Sequence, residues 1–253
     1  MSNDSNTFDV LTYETVQGYT IGVRRNGEGA VKKTIVLIHG IGVSSAYFIP
    51  LARELAKRYT VIALDLPGYG KAPKPSEPLT IEQLASVTYT YLQKHDIFNP
   101  IMIGHSMGCQ IIAHLTKETP AYIDKMILLA PTVNCKERSV LKQSLRLVQD
   151  TFFEGPAVGA VIFSDYARMG LSRYLQTSRW MVDDHIDETL AGNSIPTLIV
   201  RGTNDYIVPH EWAAHLRTVS TCHALAEITD APHALHYKYA KETAIVCQDF
   251  IEN

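Results

Sequence analysis

Residues 100–113 read Pro100-Ile101-Met102-Ile103-Gly104-His105-Ser106-Met107-Gly108-Cys109-Gln110-Ile111-Ile112-Ala113. The apolar run Ile101-Met102-Ile103 after the helix-stopping Pro100 predicts a buried strand, and Gln110 to Leu115 suit a helix packed on a sheet. Between them stands Gly104-His105-Ser106-Met107-Gly108, a G-x-S-x-G pattern. Two glycines let strand and helix approach closely enough to force the middle serine into a strained turn, its hydroxyl raised above the sheet. Ser106 is the candidate nucleophile. Taken alone, the pattern also suits a helix N-cap serine between two packing glycines, so the partners decide.

Upstream, 8–16 and 19–24 are rich in β-formers and flank Gln17-Gly18, which predicts an antiparallel hairpin at a sheet edge. Residues 34–38 form a β-branched and leucine run, as expected of a strand covered on both faces, ending in His39-Gly40-Ile41-Gly42. Glycines there allow main-chain N–H groups to turn inward, as an oxyanion hole requires; an ordinary strand-to-helix turn would use them equally well. The Ile41 N–H, with the Met107 N–H next to the serine, is the candidate donor pair. Residues 47–58 are amphipathic, and 60–64 make another buried strand, ending in Asp65-Leu66-Pro67-Gly68-Tyr69-Gly70. That loop lacks phosphate-loop spacing, and Asp65 is expected to make local hydrogen bonds. Thr80 and Gln83 fit a capping box opening a helix to about Lys94, and 125–130 form a further apolar strand. Such alternation implies a mostly parallel sheet with helices on both faces.

A chain of 253 residues, 46% hydrophobic and 19% charged, can bury a full α/β core. A net charge of -3 gives no electrostatic reason to expect nucleic acid or an anionic membrane, so a small-molecule substrate is the expected partner. The opening residues lack a signal-peptide pattern and no apolar run approaches membrane-spanning length, which points to the cytoplasm. Four dispersed cysteines without a C-x-x-C pair suggest neither a disulfide framework nor a zinc cluster.

On the His39-Gly40-Ile41-Gly42, Asp65-Leu66-Pro67-Gly68-Tyr69-Gly70 and Gly104-His105-Ser106-Met107-Gly108 motifs the chain resembles the α/β-hydrolase superfamily. The resemblance implies an eight-stranded, mostly parallel sheet flanked by helices, a Ser-Asp-His triad in that order, no metal and no organic cofactor, and a helical cap after the sixth strand. Residues 1–132 and 195–253 would then be the core and 133–194 the cap. The segment from Ile195 to Pro209 resembles the superfamily's acid-bearing stretch, making Asp205 the acid, although a turn role is open to it. Asn134 stands where some relatives place the acid, but an amide cannot stabilise imidazolium as a carboxylate does. His233 follows the last apolar strand, 224–228, where the histidine loop is expected. His236 is its nearest rival. His39 and His105 suit structural positions, and His95, His114, His185, His210, His215 and His223 read as surface or helix residues.

Residues 133–194 contain helix-forming runs at 136–153 and 165–182, broken by Glu154-Gly155-Pro156. Phe152, Phe153, Phe163, Tyr166, Met169, Tyr174 and Trp180 could line an acyl pocket or simply pack; Tyr166, Met169 and Trp180 are the candidate substrate-binding residues. Arg168, Arg173 and Arg179 could hold a carboxylate or solvate helix faces. The expected chemistry is hydrolysis of a carboxylic ester through an acyl-enzyme on Ser106. The alternatives are a C–C bond hydrolase of ring-cleavage products and a non-catalytic receptor on the same fold; monomer and homodimer are equally open.

Overall fold

The computed structural model describes residues 8–26, 33–144, 146 and 156–253. Eight strands, β1 (Thr12–Val16), β2 (Tyr19–Arg25), β3 (Thr34–Ile38), β4 (Thr60–Asp65), β5 (Ile101–His105), β6 (Lys125–Leu129), β7 (Thr197–Gly202) and β8 (His223–Ile228), form one sheet in the order β1-β2-β4-β3-β5-β6-β7-β8. The β1/β2 and β2/β4 pairs are antiparallel and the others parallel. Every residue of β5 and β7 is buried, as expected of strands covered on both faces.

The helices are α1 (Ile49–Leu55), α2 (Ile81–Lys94), α3 (Met107–Glu118), α4 (Pro156–Met169), α5 (Leu171–Asp183), α6 (Ile186–Leu190), α7 (His210–Thr218), α8 (Leu235–Lys238) and α9 (Ala240–Glu252); α4 and α5 pack on each other, and the others flank the sheet. α2, α3 and α6 pack as one group and α1, α8 and α9 as another. The start of α2 is the expected capping box: Gln83 N donates to Thr80 Oγ1 at 3.3 Å, and Thr80 N to Gln83 Oε1 at 2.9 Å. No helix among the described residues is long and apolar enough to cross a membrane.

Two local expectations are corrected. The first strand starts at Thr12 rather than residue 8, because Phe8 buries its ring in the core and its carbonyl accepts a 2.6 Å hydrogen bond from Arg24 Nη1, which holds the chain off the sheet edge. The run 165–182 is two helices, since Gly170 at φ +81° turns the chain between α4 and α5. Of the expected 136–153 helix, 140–144 and 146 are helical, while 145 and 147–153, with Phe152 and Phe153, lie outside the described residues.

The order of the strands places the site. From β3 the chain moves to β4 on one side and then to β5 on the other, so consecutive connections leave in opposite directions. A crevice opens at the carboxyl ends of strands at such a switch point. The segments that follow β3, β5, β6, β7 and β8 all converge there.

Candidate active site

Ser106 sits between the end of β5 and the first turn of α3 with φ +55° and ψ −118°, a strained conformation for a residue with a side chain. The strain is imposed by packing. A Cβ on Gly108 would stand 2.1 Å from the Ile38 carbonyl oxygen, so only glycine lets α3 press against the end of β3. The backbone is fixed from the other side too, Ser106 N donating to Leu129 O at 3.0 Å.

Asp205 and His233 meet across the ends of β7 and β8. Their side chains are buried, and His233 Nδ1 lies 2.9 Å from Asp205 Oδ2. With Asp205 as carboxylate the imidazole donates, which leaves Nε2 as the basic nitrogen. The second oxygen, Oδ1, accepts from Ile207 N at 2.8 Å and Val208 N at 2.9 Å, so the carboxylate is held at both ends. Val208 O in turn accepts from Arg201 Nε at 2.8 Å, bracing the loop against β7. Asn134 is occupied elsewhere, its Oδ1 accepting from Lys136 N at 3.1 Å.

A cluster of imidazoles supports the histidine loop. His105 Nε2–H donates to the His233 carbonyl at 3.1 Å, so the residue before the serine anchors the backbone of His233. Burial holds the His105 imidazole well below its usual range, with the neighbouring His236 and His233 adding to the effect, and burial pushes His236 down to about 3. Both are therefore neutral near pH 7, and neither puts a cation beside His233. His39 is structural: Nδ1–H donates to Gly40 O at 2.8 Å, and Nε2 accepts from Leu66 N at 3.1 Å. His223, read from the sequence as a surface or helix residue, is instead buried on β8, because Leu216 O accepts its Nδ1–H at 2.8 Å.

Two recesses meet at Ser106, Ile41 and His233, one of about 390 Å³ and one of about 330 Å³. The larger runs over Thr132 to Tyr174, Ser178, Met181 and Val182, and the smaller beneath Val43, Tyr47, Ile162 and Tyr166. Tyr166 thus lines the site. Met169 and Trp180 line neither recess. α5 turns Tyr174, Ser178, Met181 and Val182 inward, a spacing that leaves Trp180 on another face, and Met169 is buried in the main core. Phe163 is 77% exposed. The arginines point elsewhere: Arg168 bonds Ser164 Oγ and Asp165 Oδ1, Arg173 bonds the carbonyls of Pro75 and Ser76, and Arg179 is exposed. Among the described residues, no Asp, Glu, Lys or Arg lines either recess.

Thr132 escaped the sequence reading. Its hydroxyl lies 3.3 Å from Ser106 Oγ, just beyond β6, where Trp212 Nε1–H holds the Pro131 carbonyl at 2.9 Å. Its only signal is its place at the end of a central strand. Gly202 was missed as well: a Cβ there would stand 2.0 Å from the Ala231 carbonyl oxygen, so the absence of a side chain is what lets the His233 loop close on the Asp205 loop.

Residues 33–174 match the model of the alpha/beta hydrolase fold family, and the chain belongs to that family. An uncharacterized protein of Mycobacterium tuberculosis is 34% identical over 120 residues, a match spanning 47% of this chain and 34% of the relative's own length. A pimeloyl-[acyl-carrier protein] methyl ester esterase of Pseudoalteromonas atlantica is 24% identical over 92% of this chain and 98% of its own. Among solved structures, the enol-lactonase of Burkholderia xenovorans superposes with a TM-score of 0.83 at 21% identity, covering 96% of this chain and all of the lactonase. These likenesses extend the shared fold over nearly the whole chain.

Proposed function

We propose that the protein is a serine hydrolase that cleaves a carboxylic ester of a small, uncharged molecule, with Ser106, His233 and Asp205 as its triad. The observation that carries the reading is the buried 2.9 Å contact between His233 Nδ1 and Asp205 Oδ2, facing the same recesses as a serine held in a strained elbow. The esterase and enol-lactonase likenesses support ester chemistry.

In this reading Ser106 Oγ attacks the ester carbonyl carbon while His233 Nε2 takes its proton. Negative charge gathers on the carbonyl oxygen, which the N–H groups of Ile41 and Met107 receive. The imidazolium, stabilised by Asp205, returns the proton to the departing alcohol as the C–O bond breaks. Water then gives a proton to His233 and attacks the acyl-enzyme, releasing the acid and restoring the Ser106 hydroxyl. The described part of residues 133–194 acts as a cap whose helices α4 and α5 shape the two recesses. Among the described residues the linings are uncharged, so a carboxylate or ammonium enclosed there would find no partner among them, which supports a neutral substrate.

Hydrolysis of p-nitrophenyl esters from acetate to decanoate by wild type and Ser106→Ala tests the proposal. Turnover that disappears in Ser106→Ala supports it. A folded wild type that turns over none of them would move the ligand-receptor alternative to the front.

A further inference from the structure

We propose that Asp165, on α4, is a positioning residue for the oxyanion loop and acts through Ser44. The inference rests on the serine hydrolase reading above and concerns how its oxyanion site is kept in shape. Ser44 Oγ donates to Asp165 Oδ2 at 2.5 Å, with both residues buried, across 121 positions of chain. The other carboxylate oxygen accepts from Arg168 Nη1 at 3.1 Å, so Asp165 is itself held in orientation by its own helix. A hydroxyl-to-carboxylate bond away from water is strong and directional.

The neighbouring contacts show why this bond bears on the loop. The next residue is fixed from the core side, where Ser45 N donates to Asp65 Oδ1 at 2.7 Å and Ser45 Oγ accepts from Arg24 Nε at 3.0 Å. At the other end, His39 holds the Gly40 carbonyl. Ile41, Gly42 and Val43 span the interval between these anchors, and Asp165 ties down its downstream edge from above. The ring of Tyr166, next to Asp165 on the same helix, fills the place a Gly42 side chain would need: a Cβ there would lie 2.5 Å from the ring, and Gly42 has φ +75°. One turn of α4 therefore clamps the loop twice, by the Ser44 hydrogen bond and by the Tyr166 ring. The Ile41 N–H keeps its aim only while that turn is seated, which couples the position of α4 to the oxyanion site.

A positioning role predicts a loss in the transition state rather than in substrate binding. Ser44→Ala and Asp165→Ala are each expected to lower kcat on p-nitrophenyl butyrate about tenfold to hundredfold, less than outright loss of an oxyanion donor, with KM changed less than about twofold. The double variant is expected to be no worse than the poorer single variant, because both substitutions remove one bond. Inhibition by an alkyl trifluoromethyl ketone, whose adduct with Ser106 places an oxyanion in the same site, should weaken by the factor lost in kcat/KM, and Ser44→Thr should retain the wild-type kcat. Ser44→Ala removes a single oxygen atom and carries the test if Asp165→Ala fails to fold. A Ser44→Ala enzyme with wild-type kcat, or losses that multiply in the double variant, would overturn the assignment and leave the hydrolase reading standing. A wild type without ester turnover would overturn both.

Discussion

Gly202 closes β7 directly beneath the carbonyl of Ala231, with room for a hydrogen and none for a methyl group: a Cβ would stand 2.0 Å from that oxygen. Asn204 N donates to the same carbonyl at 3.0 Å, so the Asp205 loop and the His233 loop are fastened together at this point. The Asp205–His233 contact is a consequence of that approach.

Gly202→Ala should therefore damage stability and activity together. Displacing backbone on both loops is expected to cost about 3 kcal/mol, at the upper end of overpacking substitutions. Urea unfolding and ester turnover on the same preparation check this, and a variant that matches wild type in both would show that the loops accommodate the methyl group.

Asp205→Asn separates chemistry from folding. An asparagine can still accept from the Ile207 and Val208 amides, so a thermal midpoint close to wild type is expected. It cannot stabilise imidazolium or enforce the tautomer with a free Nε2, and kcat should fall by about 10³ to 10⁴. A loss below tenfold would mean that another group serves as the acid.

His236 provides a test at acid pH. Neither ring nitrogen has a hydrogen-bond partner among the described residues, and burial pushes its pKa down to about 3, whereas the unfolded value is about 6.5. Between these values the unfolded chain binds a proton that the folded one refuses, so stability falls as pH is lowered through the window, by up to about 1.4 kcal/mol per pH unit. His236→Leu should keep its stability near pH 7 and lose less of it between pH 6 and 4. Denaturant midpoints at several pH values measure the slope, and parallel slopes for the two proteins would contradict the argument.

The opposite sign is expected where α3 meets the end of α5. Burial disfavours a charged His114, but the Asp184 carboxylate, 2.5 Å from Nε2, outweighs it and the His114 pKa is raised. This pair contributes its full stability below about pH 6.5 and loses it as pH rises through the raised folded value. Asp184→Asn should therefore destabilise more at pH 6 than at pH 9, by about 1 kcal/mol. Asp184 Oδ2 also accepts from Gln110 Nε2 at 2.9 Å, a bond that does not titrate in this range, so the difference between the two pH values isolates the ion pair. Equal destabilisation at both would show that His114 does not change its charge between the two pH values.

The elbow was legible in the sequence because its physics is local: a serine at positive φ between a strand and a helix needs small residues on either side, and Gly104 and Gly108 supply them. The parallel sheet was legible for a similar reason, since strands covered on both faces read as continuous apolar runs such as Ile35 to Ile38. Thr80 and Gln83 announced their capping box through spacing alone. Less could be read where the cause lies far along the chain. The place of Thr132 just past a central strand does not say that it will face Ser106, and nothing near Gly202 names Ala231. The bond between Ser44 and Asp165 joins two ordinary residues that only the completed fold brings together. Trp180 shows the remaining difficulty: an aromatic residue on an amphipathic helix has several faces it could serve, and the angle at which α5 crosses the site decides among them.

The most direct test is intact-protein mass spectrometry after exposure to a fluorophosphonate, followed by peptide mapping, with wild type and Ser106→Ala side by side. The account predicts one adduct per wild-type chain, located on Ser106, and none on the variant. An adduct on another residue, or a Ser106→Ala protein that still hydrolyses esters at the wild-type rate, would contradict it.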